Sequence, residues 1–205
     1  MISCPRLKIA SLLVCLVAFL GGSCSQKDPR IEQIAPLPES VCRIAVVPFV
    51  NRTEYLNGGI LFYRVFVSEF SRFGDYQLVP EGDIRRVFRQ LHIVPGVQQP
   101  KYDQLQVIGD YMDADIMLSG AILQMKEVSS GIIEEKIPYI TVKLNLLDAR
   151  SGRTLGSIYH ARDGNQYRKV MHFGVTTTVT QLATKISREI VEKLISKGLT
   201  GKCIE

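Results

Sequence analysis

The chain has 205 residues, 46% hydrophobic and 22% charged, with 25 Lys plus Arg against 20 Asp plus Glu. That length suits one globular domain or a small two-layer pair and excludes a large multidomain machine. Sixteen Gly and nine Pro are near-average usage, and the apolar content exceeds that of unfolded chains, so collagen-like, low-complexity and disordered classes fall away.

Arg6 and Lys8 precede an apolar run from Ile9 to Leu20, followed by Gly21, Gly22 and Ser23 immediately before Cys24. This order of charge, apolar run and small residues is that of a secretion signal over residues 1–23. The run is about a dozen residues, whereas a bilayer-spanning helix takes roughly 20, so a permanent transmembrane anchor is the weaker reading. The cysteine that ends it resembles the lipobox of bacterial lipoproteins. That resemblance implies that Cys24 becomes the first mature residue, carrying a diacylglycerol and palmitate-type acyl chains. An ordinary signal peptide cut near Ser23 is the alternative. Ser25, where an Asp would retain an enteric lipoprotein at the inner membrane, resembles an outer-membrane address on the periplasmic face.

Arg6 and Lys8 lie inside the leader, so its removal lowers the basic count from 25 to 23 against 20 acids. So balanced a charge gives no electrostatic reason for a nucleic-acid partner. Cys4 and Cys15 leave with the leader, and Cys42 and Cys203 remain as a possible disulfide, with two inert buried thiols as the alternative.

Residues 24–42, with Pro29, Pro36 and Pro38, read as a lipidated tether that needs no fold of its own. An α/β domain over residues 43–198 and a tail over 199–205 follow. Ile44 to Phe49 form a nearly continuous apolar strand suited to burial on both faces. A polar turn with Gly58 and Gly59 leads to a helix over Ile60 to Phe73, ended by Gly74, and then to a short strand over Tyr76 to Val79. Glu81 to Leu91 place Ile84, Val87, Phe88 and Leu91 at helical spacing, with Arg85, Arg86 and Arg89 on the other face. A further helix spans Tyr102 to Met112, followed by a strand over Ile116 to Met125. After Gly131 the period becomes two. Ile140, Val142, Leu144 and Leu146 alternate with polar residues up to Asp148, and Thr154 to Ala161 return across a turn at Arg150, Ser151 and Gly152. From Val175 to Ile195 one apolar stripe predicts a helix about six turns long. The fold class is therefore α/β: a βαβα order, a helix, a β-meander and a long C-terminal helix, giving a mixed sheet with helices packed on it.

Chemical signatures are sparse. His92, His160 and His172 lie in separate elements with no metal-ligand spacing, and each reads as structural or surface. There is no nucleophile elbow, phosphate loop or dinucleotide fingerprint, so neither an enzyme nor a cofactor is expected. Asp110, Asp113 and Asp115 suit turn and cap duty better than a cation site. Arg85, Arg86 and Arg89 read first as a solvated face and second as an anion-binding one. Asn51, Arg52 and Thr53 leave the end of a central strand, where open α/β sheets place binding loops, and form the candidate partner-binding loop. Local hydrogen bonding is their alternative role. The aromatic set Phe62, Tyr63, Phe66, Phe70 and Phe73 reads first as core; because it occupies more than one side of its helix, the second reading is that part of it packs against another subunit.

Three stretches together resemble a bacterial envelope family. Val46-Val47-Pro48-Phe49-Val50-Asn51-Arg52-Thr53 is similar to its opening strand and loop. The passage Ile108 to Asp115, continuing to Leu118-Ser119-Gly120, is similar to its helix-to-strand junction, and Val142 to Gly152 to its hairpin. This is the CsgG / PelC / TolB amino-terminal-domain-like family, to which LpoB-type activators are related, and the resemblance covers roughly residues 43–196. It implies a non-enzymatic, lipid-anchored periplasmic domain that often assembles into rings serving export. Envelope or secretion proteins, the outer membrane and other copies of the chain are the implied partners. Gln124 to Tyr139 and Tyr159 to Gly174 are the only places for barrel-forming hairpins, and both carry charges without a long alternating pattern, so a soluble ring supporting polysaccharide or curli-like secretion is the leading expectation. The alternative is a monomeric lipoprotein regulator of a cell-wall synthase.

Overall fold

Parallel strands cannot be joined by a hairpin, so the first half of the domain must cross a sheet face between strands, while the second half can turn back directly. In the computed structural model, residues 28–73, 76–129, 136–169, 173–199 and 203 are described. Among them seven strands form one sheet: β1 (Arg30–Gln33), β2 (Arg43–Val46), β3 (Val50–Asn51), β4 (Gln77–Leu78), β5 (Ile116–Ser129), β6 (Lys136–Asp148) and β7 (Thr154–Asp163). The order across the sheet is β1-β7-β6-β5-β2-β4, with β3 paired to β5 beyond the end of β2. β2 runs parallel to β4 and β5, and β5, β6, β7 and β1 are successively antiparallel.

Four helices supply the layers: α1 (Gly58–Phe70), α2 (Glu81–Gln90), α3 (Tyr102–Met112) and α4 (Val179–Ser196). α1 and α4 cover one face, where Phe62, Phe66, Leu182, Ile186 and Ile190 meet Ile44, Leu118, Val142 and Leu144 in the larger core. α2 and α3 cover the other face only over the parallel half, where Ile84, Phe88 and Ile108 meet Ala45, Val47 and Met117. On that side of β6 and β7, Lys143 and Tyr159 stay exposed, which is why those strands alternate in sequence while β2 does not.

Several expectations are corrected. Arg30–Gln33, assigned to an unfolded tether, form β1 on the outer edge of β7, with Arg30 opposite Tyr159 and Gln33 opposite Gly156. The expected single strand from Ile44 to Phe49 is two, because Pro48 has no N–H for the ladder and the chain steps from β2 to β3 around it. α4 begins at Val179 rather than Val175, where the Thr178 hydroxyl accepts the Gln181 N–H at 3.3 Å as a helix cap, and it runs for 18 residues. For the α1 aromatics the core reading holds: Phe62, Tyr63, Phe66 and Phe70 are each at most 1% exposed. The first three surround Phe49 at centroid distances of 5.5 to 6.1 Å.

Cys42 and Cys203 are joined, with Cα atoms 4.5 Å apart and a sequence separation of 161. The bond ties the C-terminal tail to the entry of β2, and Leu199, fully buried in the larger core, lies under the same tail and accepts the Tyr76 hydroxyl proton. Every described element and this bond fall between Asp28 and Cys203, so a chain starting at Ser25 retains all of them.

Closing so long a loop restricts the unfolded chain by up to about 5 kcal/mol. Cys203→Ser should therefore lower the urea midpoint in oxidising buffer and match the reduced wild type; identical midpoints with and without reductant would contradict this role. Gly109 packs against the exit of β6: a Cβ there would stand 2.0 Å from the Ala149 carbonyl oxygen. Gly109→Ala should cost about 3 kcal/mol in a denaturation series.

Candidate functional site

β2 is flanked by β4 on one side and β5 on the other, and the two crossovers that reach them pass on opposite faces. The carboxyl end of β2 is thus a topological switch point, the place where open α/β sheets usually leave a crevice for a ligand. Here β3 fills it. Val50 and Asn51 pair with Ala121 and Ile122, the Asn51 N–H donates to the Gly96 carbonyl at 2.8 Å, and the Arg52 N–H to the Ile122 carbonyl at 3.0 Å.

The three predicted loop residues have separate duties. Asn51 Oδ1 accepts the Thr53 hydroxyl at 2.7 Å and the Thr53 N–H at 3.2 Å, while Asn51 Nδ2 donates to the Tyr55 carbonyl at 2.9 Å. Thr53 Oγ1 in turn accepts the Tyr55 N–H at 3.2 Å. These bonds set the entry angle of α1, whose Gly59 lets the helix approach: a Cβ there would stand 2.5 Å from the Phe49 carbonyl oxygen. Asn51 and Thr53 are therefore used inside the loop, and Arg52, with Glu54 and Leu56, is what the loop presents to solvent.

The other singled-out residues also have local roles. Asp115 Oδ2 accepts the backbone N–H groups of Cys42 and Arg43 at 2.8 and 3.0 Å, and Asp113 takes the left-handed conformation that ends α3. Arg85 pairs with Glu81 at 2.5 Å and Arg86 with Asp83 at 3.2 Å, both within α2. Asp148 accepts the Ser151 N–H and hydroxyl at 2.7 Å each. Burial would raise its carboxyl, but those bonds, with the Arg150 N–H and the Arg153 charge, hold it below the usual value. No group of three or more His, Cys, Asp or Glu able to hold a metal occurs among the described residues. Cys24 and His172 lie outside the described residues.

Sequence reading took His160 as structural or surface and passed over its partners. His160 and Arg162 project from β7 into the α4 interface, each 2% exposed, and both meet Glu189. The distances are 2.5 Å from His160 Nε2 and 3.0 Å from Arg162 Nε to the same Glu189 oxygen. Two cations lie over the Tyr167 ring, with Lys185 Nζ 4.3 Å and the Arg162 guanidinium 5.8 Å from its centroid. Burial pushes the Tyr167 hydroxyl up, as does the Glu189 charge. For Glu189 burial acts upward too, but hydrogen bonds from His160 and Arg162, with the Arg162 charge, outweigh it and hold the carboxyl below its ordinary value. A second bridge joins α1 to α4, where buried Glu69 meets Arg72 at 2.8 Å and Arg188 at 3.1 Å. The signal available in sequence was charge at positions a simple alternating strand would bury, His160 and Arg162, opposite an acid on the facing helix.

Glu189 titrates at a lower pH in the native state than in the unfolded chain. Its stabilisation is therefore complete above the unfolded value of roughly 4.3 and is lost as pH falls through the lower native value. Glu189→Gln should destabilise the domain by about 2 to 3 kcal/mol at pH 7 by leaving Arg162 buried without its counter-charge. In urea unfolding at about pH 7 and about pH 3.5, the gap between variant and wild type should narrow on acidification; a constant gap would sink this assignment.

No protein-family model matches the chain, and no curated protein does. Solved structures do share its fold. A PelC dodecamer from Paraburkholderia phytofirmans is 18% identical over 82% of this chain and 98% of that chain, with a TM-score of 0.52. Lipoprotein GNA1162 from Neisseria meningitidis is 17% identical over 76% of this chain and 99% of that chain, also at 0.52. The LpoB C-terminal domain from Escherichia coli, at 16% identity, 62% and 87% coverage and a TM-score of 0.46, is too distant to carry an argument. These likenesses establish a PelC-like mixed α/β fold, a coarser statement than the family membership the sequence motifs imply.

Proposed function

We propose that this chain is a non-enzymatic, lipid-anchored periplasmic accessory protein of the outer membrane that self-assembles and docks envelope partners in export or envelope assembly. The observation that carries this reading is the pairing of β1 with β7. With acyl chains on Cys24, only the four steps from Cys24 to Asp28 separate anchor from folded domain, a reach of at most about 14 Å. A domain held that close to a membrane is concentrated in two dimensions, which favours association between copies over reach to a distant partner. Two acyl chains give stable attachment where one is marginal. Among the described residues no helix is long and apolar enough to cross a membrane.

Self-association has a surface available to it. Among the described residues, five of the ten exposed large hydrophobic ones lie between positions 94 and 111: Val94, Val97, Tyr102, Val107 and Tyr111. Val107 and Tyr111 are neighbours on the outer side of α3, 48% and 55% exposed, in a stretch with few charges, the composition of an interface core. The fold shared with the PelC dodecamer supports an assembly of copies. Arg52 and Leu56 on the loop after β3 are the groups this reading offers to an envelope partner.

Light scattering on residues 25–205 across a concentration series tests the reading. A discrete multimer is expected, and Tyr111→Glu, which replaces a solvent-exposed side chain, should shift it to monomer with the thermal midpoint unchanged. A strict monomer at every concentration, in solution and on vesicles, would favour the monomeric regulator of a cell-wall synthase.

A further inference from the structure

α2 and α3 cover only the parallel half of their side of the sheet, so β6, β7 and β1 present an open face there. Directly opposed residues of antiparallel strands share a face, which puts Lys143, Tyr159 and Arg30 in one row across β6, β7 and β1. All three are exposed. Further along the same face Lys126, also exposed, stands over the Tyr139 ring at 5.8 Å from its centroid. Among the described residues Glu32, one row from Arg30, is the exposed acid of this face. A solvated face is ordinary for an antiparallel sheet. The excess of one sign around an exposed aromatic ring is what sets this one apart.

The outer side of α3 has the opposite character. Its exposed Asp103, Val107, Asp110 and Tyr111 recur at helical spacing and form one stripe, and the helix holds no Lys or Arg. Asp103, Asp110, Arg30 and Lys143 have no ion pair among the described residues. The spacings also agree. Two turns of helix set Asp103 and Asp110 about 10 Å apart, with Val107 between them. Two strand spacings set Lys143 and Arg30 about 10 Å apart, with Tyr159 between them. An acid, an apolar group and an acid therefore meet a base, a ring and a base at the same pitch.

We propose that the outer side of α3 in one copy docks on the open face of β6, β7 and β1 in the next, Asp103 and Asp110 meeting Lys143 and Arg30, with Val107 and Tyr111 against the Tyr159 ring. This contact rests on self-association through α3 and supplies its second surface. Each copy gives the next the helix that its antiparallel half lacks. A symmetric pairing of α3 with α3 would instead set acid against acid. Because the two surfaces differ, the contact is head to tail and repeats from copy to copy until its rotation closes a ring.

Light scattering on residues 25–205 tests the contact by charge reversal. Asp103→Lys with Asp110→Lys, and separately Arg30→Glu with Lys143→Glu, should each turn the wild-type multimer into monomer. An equimolar mixture of the two variants should recover a multimer, since acids and bases again face each other. All four side chains are exposed, and an unchanged thermal midpoint shows that each variant is folded. Arg30→Ala and Lys143→Ala, milder truncations at the same positions, should each weaken association about ten-fold and decide the matter if a reversal unfolds the chain. Arg30 and Lys143 variants that assemble like the wild type, or a mixture that stays monomeric, would overturn this contact and leave self-association through another surface standing. A wild type that is monomeric at every concentration would remove self-association itself, and the contact with it.

Discussion

One short antiparallel pairing decides how this domain meets its surroundings. β1 contributes four residues to the edge of β7, and the Ile34 and Ala35 N–H groups extend the contact to the Leu155 carbonyl. Without it, the residues between Cys24 and Cys42 would form a leash of up to about 60 Å fully extended. With it, a leash from a lipidated Cys24 would end at Asp28. For a chain anchored at Cys24, the pairing therefore sets how near the membrane the domain sits, and it brings Asp28 and Pro29 against β7 and α4 to make a groove beside Arg162. It also covers the sheet edge that would otherwise offer the unpaired backbone of β7 to other chains.

The same sheet shows why a ligand site at the usual place is missing. The crossovers on opposite faces create a switch point at the end of β2, but Pro48 interrupts that strand and β3 continues onto β5, satisfying the backbone that would have faced a crevice. Polar chemistry moves to the antiparallel half, where the second helical layer is absent and α4 alone covers β6 and β7. There a single helix can hold Glu189 over two buried basic side chains while its outer side borders open grooves.

Much of the architecture was legible because apolar spacing reports burial. Ile84, Val87 and Phe88 gave α2, the alternation from Ile140 to Leu146 gave β6, and Leu182, Ile186 and Ile190 gave the inner stripe of α4. β1 was not legible: Arg30-Ile31-Glu32-Gln33 has one apolar residue, since an exposed edge strand is selected by its backbone partners rather than by its side chains. The α1 aromatics read first as core, but a subunit contact stayed open as a second role, because periodicity counts faces of one helix and cannot see that Phe49 and α4 enclose it on several sides. Conversely, Tyr102, Val107 and Tyr111 exceed the single buried face of α3, an excess visible in sequence once the buried face is known to be Leu105, Ile108 and Met112. The Glu189 cluster joins residues 27 and 29 positions apart, beyond any local pattern.

The anchor is the premise from which the short leash draws its meaning. The most direct measurement is mass spectrometry of the mature amino terminus, on full-length chain expressed in a Gram-negative cell and extracted from its membranes. The expected species is a chain that begins at Cys24 and carries the mass of a thioether-linked diacylglycerol. A mature chain that begins elsewhere, or an unmodified Cys24, would contradict the proposed anchoring.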